Sequence, residues 1–314
     1  MVQEGWIMKS QNAFLTTILL LVALGIGGNA RAAAKEPEDW TITAIEFPGG
    51  TSTAVLDINP AGEIVGSYND AKGTHGFLLS KNGDFATIDF PGAVFTRAAA
   101  INSRGDIVGQ YRLPTDPMQA RHGFLLIDGE FATIDPPGAR FTNALGINNR
   151  GDIVGRFCTA LPCALDGANT RGFLFRDGEF TTINFPGARG TNAWKINSRG
   201  DIVGSYTSAD GKKHVFLLSD GDFATIDVPG AADVGAENGG INPRGDLVGI
   251  YCDSAPCRGT NPDAHGFLLG KNGDFATIDF PGAIDTNAIA INARGDIVGV
   301  YDDATGVHGF LLSK

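Results

Sequence analysis

The chain has 314 residues, 43% of them hydrophobic, with 44 glycines, 15 prolines and a formal net charge of −11. That is too apolar for a disordered protein and enough to bury a sizeable core. The acidic balance argues against nucleic acid and anionic membrane surfaces as partners.

Lys9 precedes an apolar run from Ala13 to Gly27, and "ARAAAK" follows with small residues at the −3 and −1 positions. A basic start, a short apolar run and an A-x-A site predict a secretory signal peptide over 1–34, cleaved after Ala32 or Ala34. A retained anchor is the weaker alternative, because spanning usually takes ~20 apolar residues. The segment carries Glu4, Lys9 and Arg31, a net of +1, so its removal moves the charge from −11 to −12. The expected product is a single domain, residues 35–314, extracellular or periplasmic, monomeric and not inserted in a membrane.

Beyond the signal the chain repeats. Ile-Asn recurs at Ile58, Ile101, Ile147, Ile196, Ile241 and Ile291, each time followed by a Gly-acid-hydrophobic-Val-Gly run. A variable stretch, a "GFLL"-like segment, a Gly turn and a "FATIDFPGA"-like segment complete the unit, and "ITAIEFPGG" (42–50) supplies the last element at the start of the domain. All four segments read as strands, short, β-branched or aromatic and bounded by turn residues. "KNGD", "IDGE", "RDGE" and "SDGD" are hairpin turns. Four strands in each of six copies predict an all-β, six-bladed β-propeller with four antiparallel strands per blade, its ring closed by the N-terminal strand joining the last blade. A β-helical solenoid is the weaker reading. The Ala- and Gly-rich strand before each Ile-Asn is expected to lie innermost.

Arg-Gly-Asp stands at 104–106, 150–152, 199–201, 244–246 and 294–296, always in the same place in the repeat, with Ala61-Gly62-Glu63 in the sixth copy. Asn-x-x-Gly around it suits a tight turn. The tripeptide is therefore read as turn chemistry and not as an adhesion motif. His75, His122, His214, His265 and His308 all precede the "GFLL" strand, so they cannot converge on one metal, and no metal or cofactor is expected. The five tyrosines end the second strand of their repeats and are read as packing between blades. Cys158 with Cys163 and Cys252 with Cys257 are expected to form two local disulfides, as suits an exported chain.

The units "INSRGDIVGQY…RHGFLL" and "GEFATIDPPGA" resemble the bacterial HAF-type extracellular repeat family, over residues 41–314. Gly or Val stands where the family's signature has Ala. The resemblance implies an exported repeat protein, and the family carries no established catalytic residues to transfer.

Function is expected where the copies differ. The connections between second and third strands vary most, and they share a face with the crossovers between repeats. Arg97, Asn143, Asn192, Trp194, Glu237 and Asn287 depart from the small-residue pattern at the entry to the innermost strand. They are the candidate ligand-binding residues. Alternatively, the asparagines satisfy backbone groups and Trp194 fills a gap. The expected function is non-enzymatic binding of a glycan, peptide or surface partner through this face. A hydrolase or lyase acting on extracellular polysaccharide, with Glu237, Asp57 and Lys195 as the acids and base, is an alternative. A purely structural role in envelope or matrix is another.

Overall fold

The computed structural model describes residues 16–18, 40–163, 169–235, 239–255, 257 and 263–314. All the rest of the expected signal segment, and Glu237, lie outside the described residues. Every regular element among those described is a strand.

Strand β1 (Thr16–Ile18) pairs with β2 (Thr41–Ile45). The first repeat runs through β3 (Ser52–Ile58), β4 (Ile64–Asp70), β5 (Gly73–Leu79) and β6 (Phe85–Ile88). The second follows as β7 (Phe95–Ile101), β8 (Ile107–Arg112), β9 (His122–Ile127) and β10 (Glu130–Thr133). The third comprises β11 (Phe141–Ile147), β12 (Ile153–Cys158), β13 (Arg171–Arg176) and β14 (Glu179–Ile183). The fourth comprises β15 (Gly190–Ile196), β16 (Ile202–Thr207), β17 (Lys213–Ser219) and β18 (Asp222–Ile226). In the fifth, β19 (Asp233–Val234) and β20 (Gly240–Ile241) precede β21 (Leu247–Cys252), β22 (Ala264–Leu269) and β23 (Phe275–Ile278). The last is β24 (Asp285–Ile291), β25 (Ile297–Asp303) and β26 (Gly306–Ser313).

These strands form an all-β propeller arrangement, which corrects one part of the sequence expectation. Four repeats, not six, are uninterrupted antiparallel ladders of four consecutive strands. In the fifth, β19 and β20 both pair with β21, and residues 236–238 between them lie outside the described residues. The last ladder takes its fourth strand from the N-terminus, as β2 pairs with β26 from Thr41 opposite Ser313 to Ile45 opposite Gly309. The first two ladders also touch through one parallel pair, Thr74 opposite Phe95, so hydrogen bonding counts five sheets in all.

Packing between ladders is built from the repeat's apolar positions. Phe77, Phe124, Phe173, Phe216 and Phe310 are fully buried, each over the glycine of its "Val-Gly" strand. Successive ladders share core. Ala100 and Val108 of the second ladder pack with Ile134, Ala144 and Phe157, and Ala290 and Val298 of the last pack with Val55 and Phe77 of the first. Phe47, Phe90, Phe185 and Phe280, from the crossovers, stack face to face on Tyr68, Tyr111, Tyr206 and Tyr301 at 3.5–3.7 Å between centroids. The backbone N–H of each of these phenylalanines donates to a threonine hydroxyl six residues on, Thr53, Thr96, Thr191 and Thr286. Strands β3, β7, β11, β15, β20 and β24 all line the central axis.

The glycine over each buried ring cannot carry a side chain. A Cβ at Gly204 would meet the carbonyl oxygen of Asn192 at 2.1 Å and the ring of Phe216 at 2.6 Å. Backbone on one side and a fully buried ring on the other leave nowhere to relax. Gly204→Ala is expected to destabilise by about 1–3 kcal/mol or more, and a melting temperature equal to that of the unsubstituted chain would contradict this packing.

Candidate functional site

One end of the axis is a hydrogen-bonded ring. Asn59, Asn102, Asn148, Asn197, Asn242 and Asn292, the asparagines of the six Ile-Asn pairs, are all buried. Each Oδ1 accepts from backbone N–H groups of the turn that follows, and each Nδ2 donates to the acid four residues on, for example Asn102 to Asp106 at 2.7 Å. Nδ2 also reaches the next repeat. Asn59 donates to Asn102 O, Asn102 to Asn148 O, Asn148 to Asn197 O, Asn197 to Asn242 O, and Asn292 back to Asn59 O, at 3.2–3.4 Å.

The Arg-Gly-Asp tripeptides are the outer part of the same joint. Arg104 pairs with Asp106 and donates through Nη1 to Asn149 O of the next repeat. Arg150, Arg199 and Arg244 do the same toward Ser198, Pro243 and Ala293. The glycine between them sits at φ of 88–99°, a left-handed conformation that suits glycine. The arginine and aspartate are thus committed to one another and to the neighbouring repeat. Burial disfavours the Asp152 carboxylate, but Arg176, Asn148 and Arg150 outweigh that and hold it below the usual range.

Further along the axis lies an ion pair. Lys195 Nζ is 3.2 Å from Asp57 Oδ2 and also donates to the carbonyls of Leu56 and Ala99. The Asp57 carboxylate accepts from the N–H groups of Ile58 and Ile101 as well. Three donors on the ammonium thus meet three acceptors, and the carboxylate receives three N–H donors in all. Burial pushes Asp57 up and Lys195 down, and each partner's charge opposes this. Above the pair, Leu56, Arg97, Ala99, Leu145, Trp194, Gly239 and Ile289 line the axis, with Trp194 only 3% exposed. Trp194 occupies the room that Gly239 leaves, since a Cβ there would lie 2.9 Å from the indole.

The candidate residues of the variable face therefore fall into two sets. Trp194 is an axial plug. Arg97, Asn143, Asn192 and Asn287 occupy the same position in their strands, opposite Gln110, Arg156, Ser205 and Val300. Asn143 and Asn192 are each 4% exposed. The Oδ1 atoms of Asn143, Asn192 and Asn287 are buried with no protein partner among the described residues, although Asn192 Nδ2 donates to Ser205 Oγ. Both disulfides form, Cys158–Cys163 and Cys252–Cys257, in the loops of this face. Sequence reasoning passed over Gln110, Arg112 and Thr142, which also carry buried atoms without protein partners among the described residues. The signal for Thr142 was "IDPPGA" in place of "IDFPGA". Pro136 has no N–H, so the donor that the other threonines receive is missing there.

The histidines do not share a site. Each packs against the tyrosine of its own repeat, at 4.9–5.4 Å between centroids. His122 lies between Asp135 and Asp116, and His308 between Glu46 and Asp303. Burial works against their charge, but the carboxylates raise both. No group of His, Cys, Asp and Glu among the described residues is arranged to hold a metal.

Solved structures with this arrangement settle the architecture. The fold is a β-propeller. The chain is similar to a gluconolactonase from Xanthomonas campestris, with 14% identity, a TM-score of 0.51 and coverage of 90% of this chain and 92% of that one. The fucose-specific lectin of Aleuria aurantia matches at 10% identity and a TM-score of 0.51, over 82% of this chain and 91% of the lectin. TolB from Acinetobacter baumannii matches at 13% identity and a TM-score of 0.51, over 71% of this chain, which spans about half (52%) of TolB. Neither a family model nor a curated protein matches the sequence.

Two outcomes follow for the propeller. Lys195→Met strands the Asp57 carboxylate and is expected to cost about 3–5 kcal/mol at neutral pH. Adding Asp57→Leu is expected to restore most of that. Equal stabilities for the single and double variants, by urea unfolding, would show that the pair is not coupled. At the start of the last ladder, Asp285 and Asp302 face one another across the strand pair. Burial and the charge of Asp302 push Asp285 up to about 6. A folded value above the unfolded one, about 3.9, means the native state holds the proton more tightly. The pair's contribution to stability is then greatest below pH ~4 and is lost as pH rises through about 6. Melting curves from pH 4 to 8 are expected to show Asp285→Asn gaining on the unsubstituted chain over that window. A constant difference would refute the shift.

Proposed function

We propose that the chain is an exported, six-bladed binding propeller of HAF-repeat type, a non-enzymatic monomer that takes a glycan, peptide or surface partner on its variable-loop face. The observation that carries the reading is a contrast between two rings of polar residues. The asparagines at the turn end of the axis have every side-chain atom engaged. Asn143, Asn192 and Asn287, near the variable end, keep buried carbonyl oxygens with no protein donor among the described residues. Buried polar atoms in folded proteins are paired in the great majority of cases, so repeated exceptions at equivalent positions mark where water or a ligand supplies the donor. Hydroxyl groups of a sugar provide such donors, and a fucose-specific lectin is among the propellers of similar fold. The two disulfides support export to an oxidising compartment. Six blades is the reading that the closed sequence of inter-repeat contacts supports, from Asn59 round to Asn292 and back.

The hydrolase reading is weakened by the ion pair. Asp57 and Lys195, two of the groups it required, are spent on one another and on backbone partners.

Leucine at positions 143 and 192 keeps the shape and removes the unpaired oxygens, together with the Asn192 Nδ2–Ser205 Oγ hydrogen bond. The double variant Asn143→Leu, Asn192→Leu is expected to stay folded, destabilised by no more than about 1–3 kcal/mol from the loss of that bond. On a glycan and polysaccharide array it should lose at least tenfold in binding. Unaltered binding by the variant, or no glycan bound by the unsubstituted protein, would overturn the glycan reading.

A further inference from the structure

The third repeat departs from the others at two facing positions. In four repeats the histidine that opens the third strand pairs with the acid that follows the fourth, His75 with Asp89, His122 with Asp135, His265 with Asp279 and His308 with Glu46. The third repeat has Arg171 and Asn184 in those places. Both changes act in the same sense, because a permanent cation replaces a titratable ring and the carboxylate is gone. The crossovers into the third and fourth repeats add two more cations. Arg140 and Arg189 hold the position that Thr51, Val94, Ala232 and Ile284 occupy elsewhere.

These three arginines form a row along the rim. Arg140 donates its backbone N–H to Cys158 O at the end of β12, and Arg171 lies opposite Phe157 on the other side of that strand. With neighbouring strands about 5 Å apart, the two backbones are separated by about 10 Å. Asn169, two residues before Arg171, donates its N–H to Arg189 O at 3.1 Å and so brings in the arginine of the fourth ladder. The Arg189 guanidinium reaches the hairpin between β16 and β17, with Nη1 3.7 Å from where a Cβ on Gly211 would stand, next in sequence to Lys212.

Arg140, Arg171, Arg189 and Lys212 are all exposed. Among the described residues no carboxylate stands within ion-pair distance of the three arginines, whereas each arginine of the Arg-Gly-Asp joints holds an aspartate. Lys212 has Asp210 at 4.0 Å. A chain with a net charge of −11 thus carries a strip of exposed cations on two adjacent ladders. Such a strip concentrates anions locally against the field of the whole protein.

The shape and composition of the strip narrow its partner. A row longer than about 10 Å suits a chain with repeated anionic groups more than one small anion. The exposed large apolar side chains of the described residues, Val94, Met118, Ile127 and Ile284, all belong to other repeats. Protein partners bind through apolar and aromatic anchors, and the strip offers none. A hydrated polymer bearing carboxylates needs only charge and the planar guanidinium fork. We propose that the rim of the third and fourth ladders binds an anionic polysaccharide along the row Arg140, Arg171 and Arg189. The proposal rests on the binding reading above and names the class of glycan.

The test is calorimetric titration of the full chain at neutral pH and low salt with alginate, with dextran as a neutral polysaccharide and with poly-glutamate as an acidic peptide. Alginate is expected to bind at least tenfold more tightly than dextran, and more tightly than poly-glutamate. Arg171→His with Asn184→Asp gives the third repeat the pair that other repeats carry, so it keeps the fold while lowering the local charge by two. That variant should lose at least fivefold in affinity for alginate, and Arg140→Gln with Arg189→Gln at least tenfold. Lys72→Gln, on the first repeat, should leave alginate binding unchanged. Alginate binding that survives the arginine variants, or poly-glutamate bound as tightly as alginate, overturns the proposal. If neutral glycans bind, are lost in Asn143→Leu, Asn192→Leu, and alginate binds no better than dextran, the broader glycan reading stands and this one falls. Binding of no saccharide in any arm removes both.

Discussion

The joint between one repeat and the next is a single asparagine side chain. At each Ile-Asn, the amide oxygen organises the turn of its own repeat while the amide nitrogen holds both the turn's acid and, in five of the six asparagines, the backbone of the following repeat. One buried group thus fixes local conformation and inter-repeat geometry together. Neither task can be relaxed without the other, and that ties the Gly-acid-hydrophobic run so closely to the Ile-Asn that precedes it. The arginine of Arg-Gly-Asp extends the joint outward by a further bond to the next repeat. In the first repeat Ala61 stands in its place, and Asn59 still reaches Asn102. The asparagine is therefore the essential part and the arginine an addition.

Once the turn end is closed in this way, the rest of the axis is filled in layers. Isoleucines lie next to the asparagine ring, then the Lys195–Asp57 pair, then the apolar plug around Trp194. A buried pair of this kind gives little net stability, because desolvation offsets attraction. Its effect is on geometry. Lys195 of the fourth repeat bonds to carbonyls in the first and the second, so it ties together repeats that are not neighbours in sequence. With the axis blocked and one rim committed to joints, the clefts at the variable end are where unpaired polar atoms remain.

Much of this was legible in the sequence. The repeat, the strand identity of its segments, the closing role of Thr41–Ile45 and both disulfides could be read from spacing, turn residues and cysteine usage. Sequence reading also found the turn role of Arg-Gly-Asp, because a tripeptide recurring at one repeat position calls for a repeat-wide cause. Its reach to the neighbouring repeat was not legible, since that needs the distance between two turns in space. Trp194 illustrates the opposite failure. A lone Trp among Leu, Ala, Gly and Ile resembles a binding platform, yet the missing bulk at Gly239 makes room for it in the axis. Gln110 and Arg112 lie on a second strand and Thr142 at the start of an innermost one, where nothing in the residue itself marks it out. Which atoms go unpaired depends on the facing strand, and the one clue lay six residues away at Pro136.

The central claim is that asparagines at one level are architecture and at the other level are binding groups. A crystal structure at atomic resolution, with and without a bound saccharide, tests it directly at the Oδ1 atoms of Asn143, Asn192 and Asn287. The account predicts an ordered water within about 3.2 Å of each oxygen in the free crystal, replaced by a ligand hydroxyl in at least one cleft of the complex. A protein N–H or O–H in hydrogen-bonding position at all three oxygens would contradict it, and would make both rings structural.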